Sequence, residues 1–189
     1  MTIKQTLFTS AIAFLGLAQC AFAQTVLQSN LRSDFLNHST AIADSDSMDN
    51  IYFAGRRHQP SITGSSHPSN LFVEKYDQNN NMVWSIETNY TNVNQHNVEL
   101  TDMVVNKFGD VFIGGIFRGS DLTIGNKTYI GKGSGLYEMF IAKISTAGFV
   151  QWIKGPDVIH DPQFNHNSIG SLTLNPNGNV FITGAHRRD

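Results

Sequence analysis

The sequence predicts an all-β protein built from radially stacked four-stranded sheets, and three observations predict it. Two hairpin-like segments, Phe72 to Trp84 and Phe140 to Trp152, superimpose without a gap 68 residues apart. A turn-then-strand motif occurs three times, ending at Gly55, Gly115 and Gly184. Several strand-like runs are apolar at consecutive positions, as in Val111-Phe-Ile and Met139-Phe-Ile-Ala. Such strands need cover on both faces, and sheets stacked face against face supply it.

The elements follow in order. Phe72-Val-Glu-Lys75 leads through a polar turn, Asp77 to Asn81, to a second run reaching Trp84. Phe140-Ile-Ala-Lys143 leads through Ser145 to Gly148 to a run reaching Trp152. Both read as β-hairpins. In the threefold motif, Asp46, Asn106 and Asn175 open the turn, and Asp49, Gly109 and Gly178 take the position where positive φ is expected. A strand of β-branched and aromatic residues follows each. The preceding runs, Thr40 to Ala43, Met103 to Val105 and Leu172 to Leu174, are the partner strands. Each unit therefore reads strand, turn, strand, longer connection, strand, turn, strand, in 60 to 69 residues.

The stretches Asn177-Gly-Asn-Val-Phe-Ile-Thr-Gly184 and Asp121-Leu-Thr-Ile-Gly125, with the Phe140 to Trp152 hairpin, resemble the SBBP-type bacterial β-propeller repeat. The resemblance covers residues 38–189 and is best from Thr101 to Trp152. It implies a propeller and an exported protein of Bacteroidetes-like bacteria. It implies no single activity and carries no catalytic residue. The first unit departs from it, because Arg56 to Asn70 is polar and lacks the Asp-x-x-x-Gly piece.

The expected organisation is a signal peptide at 1–23, a lead-in at 24–37, propeller units at 38–97 and 98–167, and a partial unit at 168–189. A closed propeller needs at least about four blades. The fold expected is thus a partial β-propeller, with two blades and the first hairpin of a third. The sequence reads as the N-terminal part of a longer protein. The alternative is a short protein closed by homo-oligomerisation or by an unusual sheet.

The N-terminus carries an address. Lys4 precedes an apolar stretch from Leu7 to Leu17, and Ala21-Phe22-Ala23 offers small residues before a cut between Ala23 and Gln24. The stretch is too short to span a bilayer comfortably, so no membrane span is expected in the mature chain. A lipoprotein at Cys20 is disfavoured by Gln19, where a small residue is wanted. Cleavage after Ala23 removes the one cysteine, and with it thiol catalysis, cysteine-bound metals and disulfides. Charged residues make up 15% and the net charge is −2, which excludes a basic nucleic-acid footprint.

Candidate chemistry is sparse. Asp44, Asp46 and Asp49 bring three carboxylates to one turn, an arrangement a hard cation such as Ca²⁺ uses. The competing reading makes them turn formers. His160, Asp161 and His166 form a second candidate metal cluster. His38, His96 and His166 recur 13 to 15 residues before Ile51, Val111 and Val180. They read as polar inter-unit loop residues rather than a shared site. Trp84 and Trp152 suggest a sugar platform, but their identical place after a turn argues for packing between units. Lys75 and Lys143 are expected to pack their stems on a neighbouring sheet with the ammonium groups outward. Gly131 to Gly135 lacks the ending of a phosphate loop, and no nucleophile elbow or zinc-protease motif occurs. No catalytic residue and no cofactor is assigned.

Three functions compete. The first is an exported scaffold binding an extracellular protein or carbohydrate, with specificity in Arg56 to Asn70 and Gly155 to Asn167. The second is a spacer ahead of a sorting or adhesion module. The third is a polysaccharide-active enzyme whose catalytic residues lie beyond residue 189.

Overall fold

Short turns of one design set the strand boundaries. Asp46 accepts the backbone N–H groups of Met48 and Asn50 on Oδ1 at 2.9 and 3.1 Å. Asp77, Asn106 and Asn175 repeat the pattern with the second and fourth residues after them. Ser145 does so more weakly, accepting only from Phe149. The fourth residue of each turn has positive φ: Asp49 at 59°, Asn80 at 65°, and Gly109, Gly148 and Gly178 at 80 to 83°. Asn and Asp tolerate this conformation and Gly adopts it freely, which explains the choice at all five positions.

The computed structural model describes residues 38–58, 69–88, 97–131, 137–155 and 168–185. These form β1 (His38–Ser45), β2 (Ile51–His58), β3 (Ser69–Tyr76), β4 (Met82–Glu87), β5 (Asn97–Val105) and β6 (Val111–Arg118). They continue with β7 (Asp121–Ile124), β8 (Lys127–Ile130), β9 (Tyr137–Ile144), β10 (Val150–Lys154), β11 (Ser168–Leu174) and β12 (Val180–Ala185). The fold is all-β, with no helix among the described residues.

The strands pair as antiparallel meanders. β1, β2, β3 and β4 run in sequence, and so do β5, β6, β9 and β10. One parallel bridge, Ser69 to Asn97, joins the two meanders. β11 and β12 make a separate hairpin, and so do β7 and β8. The connection between β6 and β9 is thus structured, where the sequence predicted only a longer link. The signal was present: Gly125-Asn126 is a two-residue hairpin turn between short alternating runs.

The meanders stack face to face. Tyr52, Ala54, Leu71, Val73 and Ile86 of the first share a core with Val98, Leu100, Val111, Ile113, Phe140 and Ala142 of the second. The opposite face of the second meander, through Phe112, Ile141 and Trp152, packs on Ile169 and Leu172 of the β11–β12 hairpin. Consecutive side chains of β6 therefore enter different cores. Val111, Phe112 and Ile113 are all buried, as the unbroken apolar run required. Leu122 and Ile124 of β7 join the first core, and Tyr129 of β8 meets Phe117 edge-on at 5.9 Å.

Two of the three repeated glycines, Gly115 and Gly184, sit at bulges. β5 and β6 slip register between Leu100 and Asp102, opposite Gly115. β11 and β12 slip between Ile169 and Ser171, opposite Gly184. A Cβ on Gly115 would stand 2.0 Å from the Glu99 carbonyl oxygen, and one on Gly184 would stand 2.2 Å from that of Ser168. The backbones approach too closely there for any side chain. In the first meander the slip lies between His38 and Thr40, and Gly55 pairs regularly with Ala41.

Candidate functional site

One set of polar side chains converges where the turns of the two meanders meet. Tyr52 lies on β2 and Lys75 opposite it on β3, with Trp84 opposite Lys75 on β4. All three project toward the second meander. Tyr52 donates its hydroxyl to Asp46 Oδ2 at 2.9 Å. Lys75 donates Nζ to the Thr146 hydroxyl at 3.0 Å, and Trp84 donates Nε1 to the Thr146 carbonyl at 3.0 Å. The ammonium also lies 5.2 Å from the Tyr52 ring centroid, a cation–π contact. Gly109 leaves room for this: a Cβ there would meet the Tyr52 hydroxyl at 2.5 Å.

Lys75 is 7% exposed, which corrects the expectation of an outward ammonium. A turn of the neighbouring meander supplies oxygen acceptors, so the charge stays paired while the stem packs. Lys143, in the equivalent place on the second meander, pairs with Asp110 at 2.9 Å.

Two carboxylates clamp one unit to the next. Asp44 accepts the Val105 N–H at 2.7 Å, and Asp102 accepts the Leu172 N–H at 2.7 Å and the Ser171 hydroxyl at 3.1 Å. Each side chain on the first strand of a unit thus reaches the first strand of the following one. At the other strand ends, Arg56 pairs with Glu99 across the meanders at 3.4 Å.

These contacts account for much of the candidate metal chemistry. Asp46 is occupied by its own turn and by Tyr52, Asp44 by Val105, and Asp49 holds the positive-φ position. Among the described residues no group of three His, Cys, Asp or Glu side chains is placed to hold a metal. His160, Asp161 and His166 lie outside the described residues, as do His96, Cys20, Ala23 and Gln24. Sequence reasoning weighed Asp102 only as an acidic pair with Glu99, and it missed Thr146 altogether. Asp102 stands beside a bulge and Thr146 in a turn, and only the neighbouring unit gives either a role.

The polar cluster titrates at both ends of the pH scale. Burial resists ionisation of Asp46, but hydrogen bonds from Asn50, Met48 and Tyr52 outweigh it and hold the carboxyl below its ordinary 3.8. Burial pushes Tyr52 far above its ordinary 10.0, helped by the Asp46 and Asp110 charges. Tyr76 is pushed up to about 12, mainly by burial and then by Glu74. The Asp46 contribution to stability is full above the unfolded value of 3.8 and is lost as pH falls through the lower folded value. The tyrosine contributions are full below 10.0 and are lost as pH rises toward the raised folded values. An alkaline titration read by tyrosinate absorbance and circular dichroism should show Tyr52 and Tyr76 ionising only as the fold is lost. Tyr52→Phe should remove one tyrosinate from that late step, and an unchanged late step would refute the assignment.

The arrangement fastens one sheet to the next. A scan of the chain against protein-family models finds no match, and a search of curated proteins finds none either.

Proposed function

We propose that this chain is an exported propeller-type repeat protein that acts as a non-enzymatic binding scaffold. The observation carrying the reading is the repetition of one interface constellation. Tyr52, Lys75 and Trp84 project from the first meander, and Phe112, Lys143 and Trp152 project from matching positions of the second. The ring pairs have centroid separations of 6.1 and 6.2 Å and interplanar angles of 60 and 58°. The lysines stand 5.2 and 5.5 Å from their ring centroids. Units that stack in the same way in the same order are what a radial array of blades needs.

The strand directions support a division of labour between the two ends. The five short turns gather at one end of the meanders. The strand ends that bound residues 59–68, 89–96 and 156–167 gather at the other. Specificity belongs to that second end, where the connecting sequences differ from unit to unit. The ligand class is an extracellular carbohydrate or protein. Residues 1–23 direct export, with cleavage before Gln24.

The test uses the chain exported from a bacterial host. Its N-terminal sequence should begin at Gln24. The processed protein is then presented to an array of polysaccharides beside a version with residues 59–67 and 156–166 replaced by Gly-Ser of equal length. Binding lost on replacement, with the melting temperature held, supports the scaffold. Cleavage of an arrayed polysaccharide, or binding indifferent to the replacement, overturns it.

A further inference from the structure

The second meander carries a seat whose counterpart on the first meander is filled. Thr146 and Gly148, in the turn between β9 and β10, occupy the first seat. Lys75 and Trp84 both bond Thr146. A Cβ on Gly148 would lie 2.9 Å from the Trp84 ring, so the turn backbone rests directly on the indole. The same hairpin completes the sheet, because β9 pairs along the whole of β6.

Phe112, Lys143 and Trp152 reproduce the seat on the face directed at the β11–β12 hairpin. β12 stands where β6 stands in its own unit, but among the described residues it pairs with β11 alone. Phe181 and Ile182 of β12 are 54% and 47% exposed, whereas Phe112 and Ile113 at the matching positions of β6 are 4% and 0%. An apolar edge strand of this kind is a template for a further strand.

We infer that the edge of β12, together with Trp152 and Lys143, binds a β-hairpin of the β9–β10 pattern. Its first strand would pair with β12. Its turn would place a Ser/Thr carbonyl and hydroxyl at Trp152 Nε1 and Lys143 Nζ, and a glycine against the indole. The occupant is a polypeptide hairpin with that turn, because the filled seat shows which chemistry meets an indole N–H and an ammonium placed in this way, Lys143 keeping its bond to Asp110. This inference rests on the stacked-unit reading above.

A synthetic peptide with the sequence of residues 137–155 supplies the probe. Added to the full chain, it should bind saturably, measured by fluorescence anisotropy of a label on the peptide. A peptide carrying Gly148→Val should bind at least about tenfold more weakly, since its turn no longer rests on an indole. This variant changes only the probe, so the folding of the chain is untouched. Trp152→Phe in the chain, which keeps an aromatic ring but removes the N–H donor, should also weaken binding.

Equal binding of the two peptides, or no binding of either, overturns the inference. So does a dimer in sedimentation that the peptide cannot displace, because a second copy would then hold the edge. The stacked-unit reading fails separately. In that case Trp84→Phe would leave the melting temperature unchanged, whatever the peptide does.

Discussion

Gly115→Ala is expected to destabilise the chain by about 3 kcal/mol or more, among the larger effects of a single methyl group. The added Cβ would stand 2.0 Å from the Glu99 carbonyl oxygen and 3.1 Å from the Phe140 ring. The first neighbour is backbone, so it cannot rotate away. Relief requires opening the β5–β6 ladder at its bulge, in the sheet that both cores share. In a chain of this size the loss corresponds to a drop in melting temperature of roughly 6 to 12 °C. Gly170→Ala is the control. Its Cβ would meet nothing closer than 3.6 Å, an ordinary contact. That change should be neutral, or stabilise by up to about 1 kcal/mol through the unfolded chain. Equal melting temperatures for the two variants would mean that the close approach at Gly115 is absent.

Trp84→Ala is expected to cost about 2 to 3 kcal/mol, less than for a fully buried tryptophan because the ring is partly exposed. The change removes the ring packed on Tyr52 and on the Gly148 backbone, and it strips the Thr146 carbonyl of its indole donor. It also loosens the walls around Lys75, whose ammonium bonds the same threonine. Trp152→Ala should cost less, because the matching seat on the second meander has no turn among the described residues bonded to the indole. Chemical denaturation of both variants measures the difference. A larger loss at Trp152 than at Trp84 would contradict the placement of Trp84 between the meanders.

The turns were the most legible part of the fold. An Asx or Ser residue followed three positions later by a Gly, Asn or Asp specifies a local hydrogen-bond ring, and no distant partner is needed to form it. The hairpins flanking these turns were legible for the same reason. The β7–β8 hairpin was not predicted although Gly125-Asn126 marks its turn, since runs of four residues are too short to establish a period and Leu122 and Ile124 are buried only by the neighbouring meanders. The polar cluster was legible only in pieces. Asp46, Trp84 and Lys75 stood out by their repeated positions, and the outward direction expected of Lys75 was wrong because its acceptor lies 71 residues away.

By itself the sequence determined the all-β class, the turn positions, the strand pairs within each hairpin and the glycines that recur after them. Each of these follows from residues a few positions apart, where sterics and local hydrogen bonds decide the outcome. The tertiary structure decided which face of each sheet meets which neighbour, and therefore what Asp44, Asp102, Thr146 and Lys75 do. Those roles depend on side chains and backbone groups brought together across 61 to 71 residues of chain. Register and stacking set such distances, and no local pattern encodes them.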